Sequence, residues 1–464
     1  MIVANFLSIM CMWVHLCIFI KIYLSSKQGQ SMKKTSVKAV AGNGLLDRRS
    51  FLMSGIALSA SCSLGPLAAS ASKPGGVSSQ SISESFPEWM KVPGHAATEY
   101  GQPSAHESQV RRHLQKSTPE TSIFSIWHTP IENQRGIITP SGLHFTVNHN
   151  GIPDIAPQRH VLMIHGLVER PLKFDVDSLM RYPMISNIHF LECAGNTASN
   201  AVSLTSLDQS AQELFGQISG SEWTGIPLKY LFKEAGIKAS AKWVIAEGAD
   251  GGSHSRSIPL DKLLDDAIIA LYQNGERIRP SQGYPMRLFV PGWEGNLNIK
   301  WLHRLEVTDQ PAYTKDESGL YSDILEDGKI QRFSFHMDVK SLITRPSGRQ
   351  LLPEKRGFYE ISGLAWSGYG KIKLVEVSAD GGETWARAHI ESPILPKSLT
   401  RFSMPWRWNG TDAILLSRAT DEAGRVQPTR DQWRAQHASY SFNHYNGIQA
   451  WHISSSGVVE NCYV

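Results

Sequence analysis

Cysteine is scarce in this chain: only Cys11, Cys17, Cys62, Cys193 and Cys462 occur among 464 residues. The first three fall in a stretch that reads as an export leader, and the remaining two are far apart. That excludes a disulfide framework and a cysteine-rich zinc cluster. No Cys-x-x-Cys-His run occurs, so the sequence offers no attachment site for a c-type haem. Charge is also sparse, at 19% of residues with a formal net charge of +4 and no basic cluster, which argues against nucleic acid as a partner. What is abundant is glycine (38), proline (24) and tryptophan (13). This suits a turn-rich chain of many strands rather than a helical bundle, and its length asks for two domains.

Asp47-Arg48-Arg49-Ser50-Phe51-Leu52 precedes an apolar stretch, Met53 to Leu67, and then Ala69-Ser70-Ala71. Paired arginines, an apolar core and a small-residue cleavage region, in that order, predict a twin-arginine export signal over 32–71 and a periplasmic destination. That route carries folded proteins, which implies a cofactor inserted before export. A second apolar run, Ile2 to Leu24, is long enough to span a bilayer but contains His15 and Lys21. Met32-Lys33-Lys34 is the more natural beginning of a leader. Residues 1–31 are therefore read as an over-extended start, with a membrane anchor at 2–24 as the alternative.

Residues 72–134 are rich in Ser, Pro, Gly and His and read as an extended arm, with a helix expected near Glu107 to Leu114. From about 135 to 310 short apolar strands (Val161 to Ile164, Ile188 to Leu191, Trp243 to Ala246, Arg287 to Val290) alternate with helices near Leu179, Leu228 to Ala235 and Leu260 to Ala270, an α+β domain. Residues 311–464 show alternating segments at Lys371 to Ser378, Ala413 to Ala419 and Tyr440 to Ser441 with no convincing helix, which predicts an immunoglobulin-like β-sandwich. Val375 to Trp385 runs through Asp380-Gly381-Gly382, a hairpin signal.

The chemistry centres on His189-Phe190-Leu191-Glu192-Cys193-Ala194-Gly195-Asn196, where an apolar strand delivers one cysteine into a Gly-Asn turn. Amides of such a turn, with Asn196, can stabilise a thiolate, the form that binds soft metals. Taken alone, a buried cysteine is more often packing than a ligand. It is followed or preceded, in order, by Phe145-Thr146-Val147-Asn148-His149, Glu247-Gly248-Ala249-Asp250, Tyr272-Gln273-Asn274-Gly275-Glu276, and the run Gly283 to Trp301 that contains Arg287, Gly292, Gly295 and Lys300.

Together these segments resemble the sulfite oxidase superfamily over roughly residues 120 to 455. The resemblance implies a molybdopterin-binding domain followed by an immunoglobulin-like dimerisation domain, and hence a homodimer. It implies that Cys193 ligates molybdenum and that Tyr272 stands beside the metal. It also implies that Phe145, Asn148, His149, Asp250, Gln282, Arg287, Asn298, Ile299 and Lys300 hold the pterin and its phosphate. Arg287 and Lys300 suit that task as charge-assisted donors, and Gly292 and Gly295 let backbone amides come close. The family's sulfite-holding arginines are absent: their positions are Val147 and Thr197, and the stretch Phe442 to His452 lacks a third. Losing bidentate forks weakens capture of a small free dianion. A less cationic pocket suits sulfane sulfur on a carrier protein, oxidised by oxo transfer, with electrons passed to a separate c-type cytochrome. The alternatives are direct oxidation of free sulfite, sulfoxide reduction, and a non-catalytic periplasmic binding protein of the same fold.

Overall fold

A computed structural model of the chain describes residues 39–48, 87–117, 123–353 and 356–464. The expected anchor at 2–24 and the leader's apolar core and cleavage site lie outside the described residues. Among the described residues no helix is long and apolar enough to cross a membrane.

The arm does not form the helix expected over 107–114. A short 3₁₀ turn, Ala105–Glu107, leads into a strand, His113–Ser117, which pairs antiparallel with Ser125–His128 and through it with Thr146–Asn148. Val110 and Leu114 alone give no apolar stripe for a helix to bury, whereas the sheet ladder satisfies the backbone directly.

The α+β domain has two larger sheets. One runs Ser255–Pro259, Trp243–Gly248, Leu302–Thr308, Val161–Gly166, Leu172–Asp175, with a parallel pairing only between Leu302–Thr308 and Val161–Gly166. The other runs Glu276–Arg277, Ile268–Gln273, Ile218–Pro227, Ile185–Glu192, and Arg287–Phe289 also pairs with Ile268–Gln273. Leu162, Ile164, Val244 and Val307 of the first share one core with Ile226, Ile269 and Leu288 of the second. Helix Leu228–Ala235 covers that core with Leu228, Leu231, Phe232 and Ala235, spaced i, i+3, i+4, i+7, and ends at Gly236 in the left-handed region (φ 73). The helix expected to continue from Leu260 to Ala270 stops at Asp265, because Ile268 to Leu271 is an unbroken, fully buried apolar run that serves as a central strand.

The sandwich has one sheet built on Lys340–Arg345, Gly357–Trp366 and Thr400–Trp408, and a second on Ile372–Ser378, Ala413–Asp421, Ala450–Ile453 and Val459–Cys462. Trp366, Trp406 and Trp451 lie fully buried in its core. The hairpin turns at Gly381 and Gly382, both at positive φ, and returns as Ala386–Arg387. Tyr440 and Ser441 form no strand; they belong to a loop after a five-residue helix, Arg430–Arg434, whose start carries a capping box from Thr429 and Gln432. The strand that pairs with Ala413–Asp421 there is Ala450–Ile453, and Val459–Cys462 forms the edge beyond it.

Past Thr308 the chain does not enter the sandwich at once. Helix Lys315–Gly319 stays on the first domain, with Glu317 bonded to Arg256, and the sandwich's own strands begin at Lys340.

Candidate active site

Cys193 sits where the strand Ile185–Glu192 leaves its sheet. Burial along that strand rises to its end, so Phe190, Leu191 and Glu192 are anchored and the next residue is delivered to a fixed point. Cys193 N donates to Gln217 O (3.0 Å), Asn196 N to Cys193 O (3.0 Å) and Gln217 N to Asn196 Oδ1 (3.2 Å). Below the turn lies a buried ion pair. The Glu192 carboxylate accepts from Lys340 Nζ (3.1 Å), Trp366 Nε1 (2.6 Å) and Asn196 Nδ2 (2.9 Å), and Lys340 also donates to Thr197 Oγ1 (3.0 Å). The sandwich thus supplies the clamp that holds the cysteine turn. Opposite, Gly295 packs so close that a Cβ there would stand 2.9 Å from Glu192 O and 3.3 Å from the Cys193 Cα.

The turn opens into a solvent-open cavity of about 710 Å³. It is lined by Cys193 together with Phe145, His149, Asp250, Gln282, Arg287, Asn298 and Lys300, so the structure gathers most of the residues that the sequence pointed to. Asn148 stands behind this wall, its Oδ1 accepting from Lys300 Nζ at 2.5 Å. Ile299 is a core residue of the first domain and does not line the cavity; its part is played by backbone, its carbonyl accepting from Leu288 N.

Tyr272 is not brought to this place. Its hydroxyl lies 3.6 Å from Met180 Sδ, its ring is covered by the Arg277 guanidinium, and it does not line the cavity. The apolar run before it aims the strand Ile268–Gln273 into the core, and the bulge between Ala270 and Tyr272 leaves the tyrosine on the far side. The tyrosine at the cavity is Tyr321. Its ring is backed by the Arg256 guanidinium at 4.8 Å, and Arg256 is itself buried between Glu317 (Nε to Oε2, 2.8 Å) and Glu294 (Nη2 to Oε1, 3.0 Å). Burial pushes the Tyr321 hydroxyl far above the usual phenol range, so it is a fixed proton donor. Burial alone would raise the Glu294 carboxyl, but Arg256 and His444 outweigh it and hold it below the usual range. Tyr321, His254 and Asn296 all line the cavity and were missed from sequence. Tyr321 lies in a polar connector without periodicity, so only its place two residues after a short helix capped by Thr314 would have marked it.

Among the described residues two cations face the cavity, the buried Arg287 and the half-buried Lys300, with no carboxylate bonded to either. Arg287 donates to Gln282 O (3.1 Å) and Asn298 O (2.8 Å), and its Nε has no partner. Lys300 Nζ donates to the carbonyls of Val147 (3.0 Å) and Ser281 (3.2 Å). Burial lowers Arg287 to about 9; burial first and the Arg287 charge second lower Lys300 to about 7. Asn296 at the same wall has both side-chain atoms unpartnered. Such a set fits an anionic, hydrogen-bonding ligand, since an oxyanion would restore both charges and occupy the orphaned donors. Burial pushes the Cys193 thiol up to about 12, so it ionises only against a cation. Among the described residues no group of three His, Cys, Asp or Glu could hold a bare metal, so a metal at Cys193 must arrive with ligands of its own. A metal carried on a phosphorylated organic ligand meets all three conditions.

Comparison with known proteins agrees. Residues 149–315 match the oxidoreductase molybdopterin binding domain and residues 331–449 the Mo-co oxidoreductase dimerisation domain. The fold and cavity define a molybdopterin-dependent oxidoreductase, and the chain belongs to the sulfite oxidase superfamily of such enzymes. Within it, the chain resembles the sulfane dehydrogenase SoxCD from Paracoccus pantotrophus. The identity is 41% and the TM-score 0.79, over 82% of this chain and 98% of that one. It also matches plant-type nitrate reductases (NADH), at 29% identity to that of Ulva prolifera and 32% to that of Cichorium intybus, each over 341 residues and 65% of this chain. The chain spans only 39% and 37% of those enzymes' length.

Proposed function

We propose that this chain is the molybdenum subunit of a periplasmic sulfane dehydrogenase of the thiosulfate-oxidising type, acting on sulfane sulfur bound to a carrier protein and passing electrons to a c-type cytochrome partner. The observation that carries this reading is the distribution of charge in the cavity. Its cations, Arg287 and Lys300, are committed to the wall that fits the cofactor, while the positions where sulfite oxidases hold their substrate are Val147, which lines the cavity, and Thr197, whose hydroxyl is taken by Lys340. A neutral mouth binds a free dianion poorly and costs little to sulfur presented on a protein arm.

In this reading Cys193 ligates molybdenum, and Arg287, Lys300, Gln282, Asn298 and Asp250 hold the pterin and its phosphate. When bound, the cofactor supplies two-electron oxidation with oxygen drawn from water. The chain's own part is to orient it. Glu192 and Lys340 fix the cysteine turn, and Tyr321 Oη presents a proton to the substrate end, held by Arg256 behind its ring. The SoxCD resemblance supports a separate c-type cytochrome subunit as the electron acceptor. The arginine pair at 48 and 49 supports export already folded, and the dimerisation-type sandwich supports a homodimeric core.

The test is a substrate panel on protein with quantified molybdenum, using cytochrome c as acceptor. A carrier-protein persulfide should turn over at least about tenfold better in kcat/KM than free sulfite or nitrate. Faster turnover of free sulfite would replace this reading by a sulfite dehydrogenase, and a protein that binds no molybdenum would end both. Cys193→Ser should abolish turnover with the fold retained.

A further inference from the structure

The segment just ahead of the arginine pair is seated on the sandwich. Ala39–Ala41 and Leu45–Leu46 form a short antiparallel pair, and Leu45 pairs with Trp406 to extend the sheet beyond the strand Thr400–Trp408. Leu45 is 0% and Leu46 3% exposed, and Leu45 belongs to the same apolar core as Trp366, Trp406 and Trp451. Three hydrogen bonds fix the turn between the two short strands. Gly42 N donates to Thr384 Oγ1 (2.7 Å), Asn43 Nδ2 to Ala379 O (2.8 Å), and Trp406 Nε1 to Asn43 O (2.7 Å).

The turn is also specific in its backbone. Asn43 (φ 56) and Gly44 (φ 91) are both left-handed. A Cβ on Gly44 would lie 2.1 Å from the Arg407 carbonyl oxygen, and one on Gly42 2.1 Å from Asp380 Oδ2. No side chain fits at 44 without moving the strand beneath it. The seat is assembled from parts distant in sequence: the hairpin turn 379–384 leaves one sheet, and Trp406-Arg407 belongs to the other. It therefore exists only when the two sheets have packed together.

We propose that the sandwich carries a docking site for the chain's own leader: Ala39–Leu46 clips onto the completed sandwich immediately ahead of the Arg48-Arg49 pair. The export half of this proposal rests on the twin-arginine reading given above; the docking half stands on the contacts alone. Seating couples the leader to folding, since a chain whose two sheets have not joined offers nothing for Leu45 and the Gly-Asn-Gly turn to bind.

Amide hydrogen exchange on the full chain tests the docking. The amides of Gly42 and Leu45 should exchange at least about 100-fold more slowly than in a free peptide of residues 39–48. In Gly44→Val that protection should vanish, while amides of Ile372–Ser378 keep theirs. A second measurement does not depend on that variant. After the full chain is nicked by a site-specific protease between residues 72 and 86, the leader fragment should co-elute with the body on gel filtration. Wild-type amides exchanging at the peptide rate, protection that survives Gly44→Val, or a nicked leader that elutes alone would each overturn the docking site. Export is read separately with Arg48→Lys plus Arg49→Lys, which should abolish translocation and leave the exchange protection unchanged. Unimpaired translocation of that variant would refute the export half while the measured protection upholds the clip.

Discussion

Lys300 is a cation that burial holds close to neutrality, about 7 against an ordinary 10.5. Because its folded value lies below its unfolded one, the unfolded chain binds more protons between those limits, and the cofactor-free protein gains stability as pH rises through that window. Urea unfolding of cofactor-free protein should therefore show a gain of about 2 kcal/mol from pH 7 to pH 9, and Lys300→Met should flatten that rise. Cofactor binding works in the opposite sense: an oxyanion favours charged Lys300, so retention of the phosphorylated ligand should be firmest below pH 7 and weaken above it. The two tyrosines give a second residue-level contrast. Tyr321 borders the cavity and Tyr272 rests on Met180, so Tyr321→Phe should lower kcat by at least about tenfold while Tyr272→Phe stays within about twofold. The opposite order in steady-state kinetics would return the role to Tyr272.

Elements, more than single side chains, decide how precisely Cys193 is held. The strand that carries it ends on Glu192, fully buried, whose charge is met by Lys340 on the first strand of the sandwich, itself 2% exposed. Breaking one half of such a pair leaves the other as an uncompensated buried charge. Lys340→Met should cost about 3–5 kcal/mol in denaturant midpoint analysis and lower molybdenum occupancy in the same preparation, because the Thr197 and Glu192 ends of the turn lose a shared donor. A loss of stability with full metal content would show that the clamp holds the fold and not the turn. This scale also marks how far the sequence could be read. Strands such as Trp243–Gly248 and the helix Leu228–Ala235 were legible because their apolar spacing matches one face, and the cavity wall was legible because Arg287, Lys300 and Cys193 sit in short ordered segments. Glu192, Lys340 and Arg256 were not, since a buried charge announces itself only through its partner, and Lys340 is 148 positions from Glu192. Tyr321 was hidden in the same way, in a connector assigned to the second domain that folds back on the first. The Leu260 to Ala270 stretch misled because a buried apolar run reads equally as helix or central strand until its neighbours are known.

At the scale of the molecule, the two domains share more than a linker. Phe190, Leu214, Phe215 and Ile218 of the α+β domain lie in one apolar cluster with Leu342, Trp366, Phe402 and Trp451 of the sandwich. Polar ties cross the same boundary: Phe190 N donates to Lys397 O at 3.0 Å, and Arg401 donates to the carbonyls of Gly136 (3.0 Å) and Gln134 (3.3 Å). Exposing that cluster by parting the domains would uncover four large side chains on one face alone, at roughly 1.5–3 kcal/mol each, and would strand the Glu192–Lys340 pair as well. Separate unfolding of either domain is thus disfavoured even though the cavity at Cys193 is itself lined from the first domain and its connector. The expected outcome is one coincident transition in guanidinium when Trp fluorescence, which reports both domains through Trp223 and Trp293 in the first and Trp366, Trp406 and Trp451 in the sandwich, is compared with far-UV circular dichroism. Two resolved transitions would mean that the sandwich forms a core of its own. In that case the clamp on Cys193 would be a late docking contact and no part of the fold's central core.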